Sequence, residues 1–202
     1  MFSSPLKPSD AEILLTQLIN QDTQRSAILL ALKQLEIKNL HLGSFFIAAG
    51  FLRNLYWDHM HGYSMATPLA DVDVVYFDEK AIEKEQDLEL EKTLKKIQPK
   101  TPWSVKNQAR MHYKSGHVPY TSLNDALSNW VETATAIGVR IGENNHLDFI
   151  APWGYQDLFA LVLRPTPFFE QKLDVFHQRI QQKQWLEKWP KLRIISDANL
   201  NR

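Results

Sequence analysis

Apolar residues recur at helical spacing over residues 9 to 38, and this periodicity predicts two amphipathic helices. In the first helix the apolar stripe begins at Ile13 and Leu14. Ser9 is expected to cap this helix, because Glu12 follows three residues later and completes a capping box. The second helix is expected within "TQRSAILLALKQLEI".

The pattern then changes to short apolar runs separated by turns. The run "SFFIAAG" is typical of a buried strand that ends at Gly50 and passes directly into a helix, "FLRNLYWDHMHG". After the loop "YSMATPLA", the stretch "LADVDVVYFD" at residues 69–78 predicts a second strand. Successive side chains of a strand alternate between its faces, so Asp71 and Asp73 share one face, which continues as Val75.

Beyond this strand, a charged amphipathic stretch at residues 79–98 predicts a solvated helix that ends before Pro99. Residues 102–116 are expected to be partly helical, and Ser122 is expected to cap a short helix. Two alternating runs about residues 142–145 predict a β-hairpin.

Two further helices are expected after the hairpin, at residues 155–163 and 168–189. The chain is therefore expected to form one α+β domain with a small mixed sheet and extra helices at both ends. The expected divisions are N-terminal helices at 1–41, a catalytic core at 42–163 and a C-terminal helix at 164–202.

Composition narrows the classes of function. The chain has 202 residues, of which 44% are hydrophobic and 23% charged, as is ordinary for a globular domain. Lys plus Arg and Asp plus Glu both total 23, and this neutral balance makes a polynucleotide partner less expected than a small molecule or a protein. The absence of cysteine excludes thiolate metal sites and disulfides. Without a signal-peptide pattern or an apolar run of membrane-spanning length, a cytoplasmic protein with no membrane partner is expected.

The two aspartates at the start of the second strand are the main candidates for chemistry. Two carboxylates about 4 Å apart repel by up to ~4 kcal/mol at an effective dielectric constant near 20, unless a cation lies between them. Such hard oxygen ligands suit Mg²⁺ or Mn²⁺, which also bind phosphate oxygens. The alternative is structural: Asp71 caps a turn and Asp73 pairs with a nearby cation.

The surrounding motifs carry a resemblance to a known family. The segments concerned are "IAAGFLRNLYWDHMHG", "PLADVDVVYFD", "VKNQARMH", "ETATAIGVR" and "APWGYQDLF". Together they resemble the bacterial nucleotidyltransferase-like family of the DNA polymerase β superfamily, over residues 40 to 190. The resemblance implies a polymerase β-like nucleotidyltransferase fold, a metal-dependent triphosphate site and transfer of a nucleoside monophosphate from an NTP.

The resemblance also implies roles for individual residues. Asp71 and Asp73 match the metal-binding pair of the superfamily, and Gly50 takes the place of its glycine turn, although the usual Gly-Gly or Gly-Ser is here Ala49-Gly50. A third carboxylate on a later strand is common in the superfamily. Asp148 is the candidate for this ligand, and the alternative is that it is a surface residue of the hairpin.

Cationic and amide side chains supply the candidates for nucleotide binding. Arg53 and Asn54 begin the helix after Gly50, where a guanidinium could hold a triphosphate, or Arg53 could instead pair with the two aspartates. A second cluster is expected on about one helical turn, where it could contact phosphate or base, or form a surface face; its members are Lys106, Asn107 and Arg110. Glu132 could orient Arg140 or act as a base toward the acceptor.

The predicted function is therefore metal-dependent nucleotidyl transfer to an unknown hydroxyl or amine. Two alternatives stay open. One is a nucleotide-sensing or partner-binding protein that keeps the fold without turnover, and the other is a metal-dependent phosphohydrolase that uses water as the acceptor.

Overall fold

The computed structural model describes residues 7–80 and 82–196. The N-terminal and C-terminal regions predicted above include residues 1–6 and 197–202, which lie outside the described residues. The described α-helices are α1 (Pro8–Gln21), α2 (Thr23–Lys38), α3 (Gly50–His61), α4 (Lys84–Ile97), α5 (His112–Ser115), α6 (Leu123–Ser128), α7 (Gln156–Phe159), α8 (Pro167–Glu170), α9 (Leu173–Lys183) and α10 (Trp185–Lys188). Short 3₁₀ helices occupy Leu40–Leu42, Gln108–Arg110, Thr133–Thr135 and Glu143–Asn145.

Five strands form one mixed sheet in the order β3-β2-β1-β4-β5. These strands are β1 (Phe46–Ala48), β2 (Val72–Tyr76), β3 (Trp103–Asn107), β4 (Gly138–Ile141) and β5 (Leu147–Ile150). Within the described part of this sheet, β2 and β3 are the one parallel pair, and helix α4 makes the crossover between them. A second, two-stranded parallel sheet joins β6 (Val162–Leu163) to β7 (Arg193–Ile194). The predicted α+β class with a small mixed sheet is confirmed.

The alternation of β2 divides the sheet into an apolar face and a face that carries the candidate chemistry. Val72, Val74 and Tyr76 are buried in the main hydrophobic core, together with residues from α1, α2, α3 and α4. On the opposite face Val75 packs in a smaller cluster with Ala48. The large core therefore fixes the sheet from behind and leaves the face of Asp73 available for a site.

The N-terminal helices form where the periodicity predicts them, but the predicted cap of the first is wrong. Helix α1 begins at Pro8, with Lys7 at the N-cap position and no side chain capping it. Ser9 therefore lies inside the first turn, because proline favours the first helical position and the helix starts two residues earlier than a Ser9 cap would place it. Helix α2 is capped by Asp22, which accepts a hydrogen bond from the Arg25 backbone N–H at 2.9 Å.

Two predicted helices are interrupted by residues in left-handed backbone conformation. The stretch 155–163 forms only α7, after which Leu161 has φ of 56° and the chain enters β6. The long helix predicted at 168–189 is divided into three, and Gln184, with φ of 54°, separates α9 from α10. Because neither residue is glycine, the sequence pattern does not mark these breaks.

The strand β3 was not predicted, since residues 102–116 were expected to be partly helical. Its buried residues alternate as Trp103, Val105 and Asn107, with Ser104 and Lys106 between them. The Ser122 cap and the hairpin about residues 142–145 are confirmed. No helix within residues 7–80 and 82–196 has the length and apolar character needed to cross a membrane.

Candidate active site

The turn between β1 and α3 places a helix N-terminus at the mouth of a cavity. Ala49 follows the strand with φ of 55° and ψ of −120°, a conformation rarely adopted by residues other than glycine, and Gly50 begins the helix. No side chain caps α3. The first backbone N–H groups of a helix have no partner within it, so this end can offer donors and a partial positive charge to an anion.

Gly50 also permits a close approach of neighbouring side chains. A Cβ atom at this position would lie 3.3 Å from a terminal nitrogen of Arg53, which is tighter than ordinary van der Waals contact. Glycine therefore lets the Arg53 guanidinium lie directly beside the turn. Both residues line a cavity of about 390 Å³.

Asp71 and Asp73 line this same cavity. Asp71 lies just before β2, and Asp73 is the second residue of the strand. The carboxylate of Asp73 forms an ion pair with Lys106, whose Nζ is 3.0 Å from Oδ1. Asp71 forms no ion pair with any residue in the described ranges. The structure therefore places both aspartates at one site and adds Lys106 as a cation between β2 and β3.

The cluster predicted at Lys106, Asn107 and Arg110 is not on one helical turn. Lys106 belongs to β3, so its side chain and that of Asn107 leave opposite faces of the strand. Asn107 is fully buried and accepts hydrogen bonds from the backbone N–H groups of Asp78 and Ala109. Of the three residues, only Lys106 lines the cavity.

Arg110 instead joins a buried polar centre beneath the sheet. Its guanidinium pairs with Asp87 of α4, and Asp87 also accepts hydrogen bonds from the Tyr76 hydroxyl and the Asn107 backbone N–H, at 2.8 and 3.1 Å. These contacts fasten α4 to the ends of β2 and β3. Arg110 is thus engaged away from the cavity.

Arg53 is buried between two indole rings. Its guanidinium carbon lies 5.1 Å from the ring centre of Trp57 and 4.4 Å from that of Trp185. Nε and one terminal nitrogen donate to the Asn54 side-chain oxygen at 3.2 and 3.1 Å. Burial lowers the pKa of Arg53 to about 10, and the negative charges of Glu132, Asp73 and Asp71 oppose that shift. Arg53 therefore stays charged at neutral pH. It forms no direct ion pair with Asp71 or Asp73. Asn54 supports Arg53 and does not line the cavity.

Glu132 and Arg179 form a charged pair that sequence analysis did not identify. Glu132 is fully buried, and its Oε1 lies 2.8 Å from Nε of Arg179 in α9. Its other oxygen accepts a hydrogen bond from the Thr135 hydroxyl at 2.9 Å. Burial raises the pKa of Glu132, whereas Arg179, Thr135 and Arg53 oppose that rise. The suggestion that Glu132 orients Arg140 is wrong, because Arg140 pairs with Glu36 and Asp148.

The rest of the cavity wall differs in chemical character. Lys114 and Lys183 add two exposed cations, and the remaining wall includes aromatic and amide side chains. These side chains belong to Gln108, Tyr120, Asn129 and Trp130. The Trp130 indole N–H donates to the Gln108 side-chain oxygen at 3.2 Å, which fixes the orientation of that amide. One cavity thus combines charged side chains that suit phosphate with aromatic and amide side chains that can stack or form hydrogen bonds.

Asp148 lies away from this cavity. It is on the edge strand β5, three strands from β2, which corresponds to about 14 Å at the usual ~4.8 Å per strand. Its carboxylate pairs with Arg140 at 2.9 Å and lies over the hairpin turn, where a Cβ atom at Gly142 would be only 2.2 Å from it. The structure therefore does not bring Asp148 together with Asp71 and Asp73.

Comparison with known proteins gives the family. A model of the nucleotidyltransferase family matches residues 35–194. An NMR structure described as revealing a CCA-adding enzyme head domain has a TM-score of 0.76 and 31% identity to this chain, and the match covers 96% of this chain and 98% of that one. No curated protein matched the sequence.

More distant structures share the fold alone. A CCA-adding enzyme in apo form I has a TM-score of 0.59 and 14% identity, with 92% of this chain and 43% of that one covered. A complex of a CCA-adding enzyme with CTP has a TM-score of 0.56 and 15% identity, with 91% and 44% covered. The present chain thus spans less than half the length of these two enzymes. From its fold, its paired aspartates and the match over residues 35–194, the chain belongs to the nucleotidyltransferase family.

Proposed function

We propose that the protein transfers a nucleoside monophosphate from an NTP to a hydroxyl or amine acceptor, with Mg²⁺ or Mn²⁺ held by Asp71 and Asp73. The observation that supports this most is that both carboxylates line one cavity with the uncapped N-terminus of α3 and a set of cations. Family membership supports nucleotidyl transfer in general, and the structure of a CCA-adding enzyme with CTP gives a nucleotide complex on the same fold.

The residues present fit a hard divalent cation. Among the described residues, no group of three or more His, Cys, Asp or Glu side chains could hold a metal ion. Two carboxylates are nevertheless enough for Mg²⁺, which is often held by one or two carboxylates together with substrate phosphates and water. When bound, this cation would offset negative charge on the phosphate oxygens.

The reaction then depends on positioning and electrostatics. The acceptor oxygen or nitrogen attacks the α-phosphorus, the bond from that phosphorus to the bridging oxygen breaks, pyrophosphate leaves, and the acceptor loses a proton to solvent or a base. The N–H groups at the start of α3, with Arg53 and Lys106, would hold the phosphates in line for this attack. The face of Gln108, Asn129 and Trp130 would contact the base or the acceptor.

The acceptor is proposed to be a small molecule or a protein side chain rather than a polynucleotide. Formal net charge is zero, whereas proteins that grip a nucleic-acid backbone usually carry a basic excess. The substrates of the CCA-adding enzymes belong to those proteins, which are more than twice as long as this chain.

A second candidate function is nucleotide binding without turnover. The observation that favours it is the pairing of Asp73 with Lys106, together with the position of Asp148 outside the cavity. A site with two carboxylates, one of them already paired, could bind a nucleotide and serve as a sensor.

One experiment separates the candidate functions. Purified protein is incubated with each of the four NTPs, labelled at the α-phosphate, and Mg²⁺, with and without cell extract. We expect pyrophosphate and a labelled adduct, identified by mass spectrometry, only when extract supplies an acceptor. Pyrophosphate and nucleoside monophosphate without any acceptor would indicate a hydrolase. Binding of an NTP without any product would indicate a sensor.

A further inference from the structure

Helix α9 forms one wall of the candidate site, although it lies outside the segment 42–163 expected to hold the catalytic core. Arg179 and Lys183 are four residues apart on this helix, so they share one face, and both line the cavity that contains Asp71 and Asp73. The side chain of Arg179 is 36% exposed. It is therefore accessible from the cavity, and a buried residue contacts it on its other side.

The buried residue that pairs with Arg179 is Glu132. Its side chain is completely buried, and its ion pair uses Nε of Arg179, which leaves the two terminal nitrogens of the guanidinium for another ligand. In the described parts of the chain, Glu132 is the only carboxylate within ion-pair distance of Arg179. With Nε next to Glu132, the two terminal nitrogens form the outer edge of the guanidinium, and such a pair of donors suits a phosphate.

Charge around Glu132 is not balanced. Arg53 and Arg179 both contact the ring of Trp185, with guanidinium carbons 4.4 and 5.6 Å from the ring centre, and both interact electrostatically with the same buried carboxylate. Two guanidinium groups thus share one negative charge. An anion bound next to both guanidinium groups would relieve their mutual repulsion.

We infer that Arg179 binds the triphosphate of the nucleotide and that Glu132 is the residue that positions its guanidinium for this contact. The inference rests on the proposed function, because it assigns the phosphate end of the same site. Because the contact is with phosphate and not with the base, we expect inorganic tripolyphosphate to engage Arg179 as well as an NTP does.

The test measures binding by calorimetry on the full chain, with MgATP, MgCTP and magnesium tripolyphosphate as probes. We expect Arg179→Gln to weaken all three by about tenfold or more and by similar factors, as for loss of a charge-assisted bidentate hydrogen bond. Arg179→Lys should restore part of the affinity. Lys188→Gln is the matched control, because it removes an exposed cation from the neighbouring helix α10 outside the cavity and should leave binding unchanged.

The positioning role of Glu132 has its own variants. Glu132→Gln removes the negative charge, and Glu132→Asp keeps the charge but moves it one methylene away from Arg179. Either folded variant should weaken tripolyphosphate binding. This effect would be indirect, because Glu132 is too buried to contact a ligand. Unchanged affinity in a folded Glu132 variant would overturn the positioning role.

The remaining outcomes separate this inference from the proposed function. Wild-type affinity in Arg179→Gln would overturn the inference while leaving nucleotide transfer intact. Wild-type protein that binds tripolyphosphate through Arg179 but no NTP would contradict the proposed function alone. Failure of the wild-type protein to bind any of the three probes would overturn both.

Discussion

Two opposed electrostatic interactions act on the carboxylate of Asp73. Asp71, two residues before it, repels its charge, and Lys106 attracts it at 3.0 Å. The pair with Lys106 is partly exposed, with side-chain exposures of 41% for Lys106 and 20% for Asp73, so water screens much of the attraction. The ion pair therefore contributes little to the stability of the fold. Its importance is that it places one carboxylate and one ammonium group at the cavity.

The substitution Asp73→Asn tests this balance. It removes both the repulsion and the attraction, so the free energy of unfolding should change by no more than ~1 kcal/mol, as is typical of partly exposed pairs. Mg²⁺-dependent binding of ATP should be lost in the same variant, because an amide is a poor ligand for the cation. Urea unfolding in the presence of a chelator measures the first effect, and calorimetry measures the second.

Asp148→Asn is the matched control for that experiment, since it makes the same change on the same sheet at a carboxylate paired with Arg140. Nucleotide binding should persist in this variant. Equal loss of binding in both variants would show that the carboxylate three strands away contributes to the site.

At the scale of single elements, the turn from β1 into α3 stores backbone strain. Ala49 is buried and has φ of 55°, a region in which a residue other than glycine costs of order 1–3 kcal/mol. Strain of this kind is often found where a backbone is held for function. Here it directs the N-terminus of α3 toward the cavity.

Ala49→Gly should relieve this strain. The gain is offset by the greater freedom of glycine in the unfolded chain, about 0.4–1 kcal/mol, and by loss of a buried methyl group, so we expect an unchanged or modestly raised melting temperature. Ala48→Gly, one residue earlier in the ordinary strand conformation, should lower it clearly. Calorimetric melting of both variants is the measurement, and destabilisation of Ala49→Gly equal to that of Ala48→Gly would show that the turn is not strained.

The sequence predicts those elements that depend on local signals and misses those that depend on tertiary contacts. The strand, the glycine and the following helix at Gly50 were predicted because apolar runs and turn residues are local signals. The strand β3 was missed because its third inward position is Asn107, whose role as a buried hydrogen-bond acceptor for neighbouring backbone is visible only in the folded chain. The breaks at Leu161 and Gln184 were missed because tertiary packing imposes the left-handed conformation on residues that do not favour it.

The same distinction between local and tertiary signals explains why the sequence indicated some residues of the candidate site and missed others. Asp71, Asp73, Gly50 and Lys106 lie near one another in sequence or on adjacent strands. Arg179 lies more than 100 residues beyond Asp73, and nothing along a single amphipathic helix marks which of its cations will face a cavity. A buried glutamate between two arginines is likewise a product of tertiary packing.

At the scale of the whole molecule, charge is balanced overall but uneven locally. Formal net charge is zero, whereas the cavity carries five cations, namely Arg53, Lys106, Lys114, Arg179 and Lys183, against the two aspartates. A local excess of this kind suits a compact polyanion such as a triphosphate. The rest of the chain therefore carries a small excess of negative charge, which gives little attraction for an extended phosphate backbone.

Binding of RNA by the isolated protein should therefore be weak. We expect a fluorescently labelled transfer RNA to show no saturable anisotropy change with micromolar protein at 150 mM salt, and only salt-sensitive binding at 20 mM, because neutralised phosphates must release counterions. MgATP affinity measured in parallel serves as the control for active protein. Submicromolar, saturable binding of RNA at the higher salt concentration would instead favour a polynucleotide acceptor.

The contribution of α9 to the cavity bears on how the protein is made. The ribosome synthesises a chain from its N-terminus, so Asp73 and Lys106 are made 110 and 77 residues before Lys183. A nascent chain that has folded its sheet therefore still lacks one wall of the nucleotide cavity. Under the proposed function, nucleotides therefore cannot fully stabilise the growing chain, and the candidate site is complete only after α9 has left the ribosome and packed against Glu132.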